Sequence, residues 1–208
     1  MPDAPRIPRV KVCGVTALAD VEGAFVHGVD AIGLVRWPNS PRFLAADSAA
    51  ALAASLPSGI LAVEVLVDAD PGEVSPWAKV VQLCGGEAPE PWFDFRIPIL
   101  RRLPVAPGSE VVLEAWVGVA AGFVLDHPSG PGGTGKGVDL DLAAELARRA
   151  PCLLAGGLDE GTVGERVRRV RPAGVDASSR LETAPGRKDP ARVAAFAREA
   201  GAALEDAR

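Results

Sequence analysis

No apolar stretch among the 208 residues is long enough to span a bilayer, which removes a helical membrane anchor from consideration. There is no block of like charge either. With a formal net charge of −5 and no basic stripe, nucleic acid is not an expected partner. Arg166, Arg168, Arg169 and Arg171 do cluster, but at helical spacing they read as a solvated helix face. Cysteine is scarce: three residues, widely spread, do not make a disulfide framework and point to a reducing compartment where thiols stay free. Met1 to Arg9 is rich in proline and charge and lacks the apolar core of a secretion signal. A soluble cytoplasmic protein is expected. Histidine is limited to His27 and His127, and no group of Cys, His and carboxylates has metal-ligand spacing, so neither a metal nor another cofactor is expected.

What the sequence does contain is alternation. Short β-rich runs recur, each followed by a turn and an alanine-rich stretch. The runs are Val10 to Cys13, Ala31 to Val35, Leu61 to Val67, Lys79 to Leu83, Ile97 to Leu100, Gly122 to Asp126, Cys152 to Ala155 and Gly174 to Ala177. Helices are predicted over Leu18 to His27 (capped by Thr16 and ended by Gly28), Ala45 to Leu56, Leu140 to Arg149, Glu160 to Val170 and Pro190 to Glu199. Apolar strands alternating with helices argue for parallel pairing, because a parallel connection needs a crossover. Eight such strands close into a barrel filled by side chains, with an open doubly wound sheet as the competing architecture. The expectation is one (βα)₈-barrel domain over residues 1–208. The proline-rich region from Trp92 to Ala120 has no obvious helix, so the fifth βα unit reads as abbreviated.

In a barrel, ligands and chemistry collect at the C-terminal strand ends. Polar groups stand there: Cys13 after the first strand, Arg42 in the loop after the second, Gln82 and Cys84 at the fourth, Asp126 at the sixth. Gly133 lies in the loop that follows, Gly156 and Gly157 follow the seventh strand, and Ser178, Ser179 and Arg180 the eighth. Each has an ordinary explanation, since a strand-end cysteine is commonly a small buried hydrophobe and an aspartate there can cap a turn. His27 reads as a surface or packing residue and Cys152 as structural. Two glycines between a buried strand and a helix say more: they let the backbone approach a ligand, and the helix N-terminus offers N–H groups to an anion. The seventh and eighth loops are the usual phosphate position in such barrels, so a phosphorylated small molecule is the expected ligand.

The same residues resemble the phosphoribosylanthranilate isomerase family, from Val10 to Phe196. Lys11-Val12-Cys13-Gly14-Val15-Thr16 is similar to its opening motif, Ser40-Pro41-Arg42-Phe43 to its second-loop motif, and Val81-Gln82-Leu83 to its fourth strand. Leu125-Asp126, Pro131-Gly132-Gly133-Thr134-Gly135-Lys136 and Leu154-Ala155-Gly156-Gly157-Leu158 follow in family order. Val175-Asp176-Ala177-Ser178-Ser179 and Pro185-Gly186-Arg187-Lys188-Asp189 close the pattern. The resemblance implies a barrel isomerase of tryptophan biosynthesis that performs an Amadori rearrangement. It implies Cys13 as general base and Asp126 as general acid, Arg42 on the anthranilate carboxylate or the developing charge, and phosphate near Gly156, Gly157, Ser178 and Ser179. A monomer or homodimer is implied.

The chain departs from the pattern in three places. Cys84 stands where the family usually has histidine, Gly86 where it has an acidic residue, and Arg180 where it has a phosphate-loop glycine. Arg180 preserves the backbone donors only by taking the required conformation, such as positive φ, or its guanidinium adds a phosphate contact. These departures leave two other readings: a related barrel acting on a different sugar phosphate, and a non-catalytic binder of a phosphorylated metabolite.

Overall fold

The structure is a computed structural model and describes residues 7–130 and 132–207; of the quoted motifs, only Pro131 lies outside them. Eight parallel strands form a closed barrel in sequence order: β1 (Val10–Cys13), β2 (Ala31–Val35), β3 (Leu61–Leu66), β4 (Val80–Leu83), β5 (Ile99–Pro104), β6 (Gly122–Asp126), β7 (Cys152–Leu154) and β8 (Gly174–Ala177). The ring closes where Val10 pairs with Val175 and Val12 with Ala177. Successive side chains point to opposite faces, which sorts the strand residues into two cores. Ala31, Val63, Val80, Leu100, Val124 and Leu153 fill the lumen. Val12, Ile32, Val81, Phe123, Leu154 and Val175 face outward and pack with Val167, Phe196 and Ala197. Burial on both sides is why the strands read as nearly continuous apolar runs.

The helical layer is uneven. It contains α1 (Ala46–Ala54), α2 (Ser109–Trp116), α3 (Leu140–Ala147), α4 (Val163–Val170) and α5 (Pro190–Asp206). Asp139 caps α3 by accepting from the amides of Asp141 and Leu142 at 2.9 and 3.1 Å, and Asp189 caps α5 in the same way. The helix predicted over Leu18 to His27 is instead two 3₁₀ turns, Leu18–Asp20 and Glu22–His27, interrupted at Val21 and ended by Gly28 at φ 100°. Thr16 does not cap it; its hydroxyl donates to the Gly186 carbonyl at 2.5 Å.

The expected shortening between the fourth and sixth strands falls in a different unit from the one named. The fifth unit is complete, with α2 matching α3 and α4 at eight residues and β5 running on to Pro104. The fourth keeps only a 3₁₀ turn, Glu90–Trp92, and the third only Pro71–Glu73. Prolines at 71, 76, 89 and 91 explain this, since each removes a helical N–H and restricts the residue before it. A β-hairpin absent from the sequence reading, β9 (Glu182–Ala184) with β10 (Arg187–Lys188), follows β8. Thr16 clasps its turn, and the Lys188 amide donates to Asp20 at 3.0 Å.

Candidate active site

The C-terminal strand ends surround one cavity, with about 840 Å³ of space counting its open mouth, and all eleven strand-end residues singled out from the sequence line it. Cys13 and Asp176 stand on adjacent strands, with Asp126 on β6 and Gln82 and Cys84 at β4. Trp37, Val65 and Val67 supply an apolar wall on the β2–β3 side, and Arg42 and Gly133 lie on the rim. Gly156, Gly157, Ser178, Ser179 and Arg180 form the β7–β8 end.

Asp126 is held from two sides. Its Oδ1 accepts from the His127 amide at 2.8 Å, and its Oδ2 lies 3.6 Å from Arg102 Nε. Arg102 comes from β5, is buried, and donates through Nη2 to the His127 carbonyl at 2.6 Å. The His127 ring turns to its own loop, its Nδ1 accepting from the Ser129 amide. Gln82 donates to Cys84 Sγ at 3.3 Å, and burial pushes the Cys84 thiol up to about 12.

Beneath Cys13 is a pair that the sequence reading quoted but gave no role. Lys11, two residues earlier on the same face of β1, places Nζ 2.9 Å from Asp176 Oδ2, with both side chains buried. Burial pushes the Cys13 thiol up, while Lys11 works against that. Burial also raises the Asp176 carboxyl, again opposed by Lys11, and Asp176 Oδ1 is buried without a hydrogen-bond partner among the described residues.

Arg42 is fixed by another residue that sequence reasoning missed. Glu182, at the start of the hairpin, accepts from Nε and Nη2 of Arg42, each at 2.7 Å, and from Lys188 Nζ at 2.7 Å. This fork leaves Nη1 as the end toward Gly133, where an added Cβ would stand 2.9 Å from it.

At the β7–β8 end, Gly156 and Gly157 adopt φ of 79° and 65°. The loop that precedes α3 packs on them: a Cβ at Gly157 would come within 2.8 Å of the Gly135 carbonyl oxygen. The amides of Gly157, Ser179 and Arg180 have no acceptor among the described residues, which makes them available donors for an anion. Arg180 does not take positive φ; it sits in a 3₁₀ turn, Ser179–Leu181, and its Nε donates to the Gly135 carbonyl at 3.1 Å. The arginine cluster on α4 is not wholly solvated: Arg166 Nη1 reaches back to the carbonyls of Gly156 and Gly157 at 2.9 and 3.3 Å.

Comparison with known proteins agrees with this fold. The sequence model of N-(5'-phosphoribosyl)anthranilate isomerase matches residues 10–199. The chain belongs to the phosphoribosylanthranilate isomerase family. An N-(5'-phosphoribosyl)anthranilate isomerase of Myxococcus xanthus is 44% identical over 202 residues, covering 92% of this chain and 95% of the relative. One from Chromohalobacter salexigens is 39% identical, covering 90% and 92%. The crystal structure of phosphoribosylanthranilate isomerase from Thermotoga maritima superposes with a TM-score of 0.82 at 28% identity, over 94% of this chain and all of that one. A phosphoribosylanthranilate isomerase solved with reduced 1-(o-carboxyphenylamino)-1-deoxyribulose 5-phosphate gives a TM-score of 0.81 at 27% identity, with the same coverage. The Thermotoga maritima enzyme is described as dimeric, and monomers generated from it have been solved. Cys84 and Arg180, read from the sequence as departures from the phosphoribosylanthranilate isomerase pattern, both line the cavity.

Proposed function

We propose that this cavity converts N-(5'-phosphoribosyl)anthranilate to 1-(2-carboxyphenylamino)-1-deoxyribulose 5-phosphate, with Asp126 as general acid and Cys13 as general base. The observation that carries the reading is that carboxyl and thiol line one cavity beside a set of backbone donors suited to phosphate.

Ring opening breaks the bond between C1 and the ring oxygen, a poor leaving group unless it is protonated as it departs. Asp126 supplies that proton, and the nitrogen lone pair forms the C=N bond of an iminium. The C2 hydrogen is then acidic because its bonding electrons can flow to nitrogen. Cys13 thiolate removes it, and the enolamine tautomerises to the ketone by taking a proton at C1. One acid and one base suffice, and nothing is oxidised or reduced overall. Asp176 Oδ1 accepts from a sugar hydroxyl or the substrate N–H, which supplies the partner it otherwise lacks. Arg42 Nη1 meets the anthranilate carboxylate while Glu182 fixes the rest of the guanidinium. Gly133, with no side chain to collide with Arg42 Nη1, lets the backbone come close to that carboxylate. Phosphate lies on the amides near Gly156, Gly157, Ser178 and Ser179, and Arg180 adds a charge at the rim.

Gln82 lines the cavity with its Oε1 buried and without a partner among the described residues, which suits it to bind substrate. The reading requires one barrel domain and no cofactor, nucleic acid or membrane, and it suits a cytoplasmic monomer or homodimer. A positioned acid or base typically contributes about 10²–10⁴-fold, or about 3–5 kcal/mol of barrier. Cys13→Ala and Asp126→Asn are therefore each expected to lose at least that much turnover, followed by the change in anthranilate fluorescence, while a phosphorylated product analogue still binds. Near-normal turnover of either purified variant removes its residue from the mechanism.

A further inference from the structure

We infer that Lys11, locked in place by Asp176, is a positioning residue that supplies the positive charge against which the Cys13 thiolate forms. The inference rests on the assignment of Cys13 as base. Lys11 and Cys13 alternate on β1 with the outward-facing Val10 and Val12, so both point into the lumen. The neighbouring strand has no side chain at Gly33, and the two groups share the space this leaves. A Cβ there would lie 2.7 Å from Cys13 Sγ and 3.1 Å from Lys11 Nζ.

Other charged and titratable groups face the thiol from each surrounding element. Arg42 comes from the loop after β2, Lys188 from β10, Asp176 from β8 and Cys84 from the end of β4. Arg42 and Lys188 are both tied to the Glu182 carboxylate, which offsets much of their charge at the sulfur. Asp126 acts on Asp176 rather than on Lys11. Lys11 is thus the cation directed at Cys13, and burial, which disfavours the thiolate, is opposed first by Lys11.

The energetics favour a functional explanation. A buried ion pair is often replaceable by packed apolar side chains at no loss of stability, so a fully buried ammonium beneath the proposed base is weak support for the fold. In the step itself Lys11 keeps all its protons. The thiol first loses its proton to solvent, and the thiolate then takes the C2 proton and becomes a thiol again. The ammonium stays hydrogen-bonded to Asp176 throughout.

The test reads the thiol directly and needs no turnover. Alkylation of Cys13 by iodoacetamide, followed by peptide mass spectrometry across pH, gives the midpoint of thiolate formation. Lys11→Met is expected to move that midpoint up by about one unit, so that alkylation below it slows about tenfold. The rising limb of the kcat profile should move by the same amount. If the single variant fails to fold because Asp176 is left unpaired, Lys11→Met/Asp176→Asn removes both charges, and an upward shift is again expected. An unmoved midpoint in a folded variant of either kind overturns the inference. Full turnover in Cys13→Ala would instead overturn the base assignment, and the alkylation midpoint would still answer for Lys11.

Discussion

Glu182 concentrates the consequences of single side chains. Burial acts to raise its pKa, but hydrogen bonds from Arg42 and Lys188 outweigh that, and its carboxyl is held below the ordinary glutamate value. A lowered folded-state pKa gives stability that is complete above the unfolded value and is lost as pH falls through the folded one. Glu182→Gln is therefore expected to cost about 1–3 kcal/mol near neutrality, the scale of hydrogen bonds to a charged group, and to flatten the acid-side loss of stability below about pH 4.3. Thermal unfolding as a function of pH measures both. Cys13 and Asp126 were legible in the sequence because they end apolar runs, where a polar residue stands out. Lys11 and Asp176 were not, because a charge one pleat below a strand end breaks the hydropathy pattern without saying what it faces. Only the closed ring brings them together across 165 residues.

Elements were read well where periodicity was strong and poorly where proline intervened. Six of the eight strand runs begin where expected, whereas α2 went unread in its proline-rich surroundings and the helix expected over Leu18 to His27 is two 3₁₀ turns. The β9–β10 hairpin escaped notice because its strands, of three and two residues, are too short to show alternation. The position of α4 has a consequence that its arginine-rich sequence concealed. Arg166 donates to the carbonyls of Gly156 and Gly157, and because the Gly156 carbonyl shares a peptide plane with the Gly157 N–H, it braces that amide from behind. Arg166→Ala is expected to raise KM on the order of tenfold, the loss of one charged hydrogen bond of about 1.5 kcal/mol, with kcat changed much less. Steady-state kinetics separate the two parameters, and an unchanged KM would mean that α4 does not brace the anion site.

For the whole molecule, what matters is that one ring carries every group in the proposed reaction. Mixing the Cys13→Ala and Asp126→Asn proteins, even after unfolding and refolding them together, should recover no turnover, because every group in the proposed reaction comes from one chain. Recovered activity in the mixture would mean that copies exchange strands. The first strand is sewn to the end of the chain at the catalytic rim: Lys11 to Asp176, the Cys13 carbonyl to Ser178, Thr16 to Gly186, and Asp20 to the Lys188 amide. A chain still emerging from the ribosome exposes Cys13 long before any of those partners has been translated. Lys11 is already present on the same strand in that interval but has no carboxylate to hold it, and only docking of the eighth strand fixes its ammonium. The first strand of the ring is thus also the last to be completed.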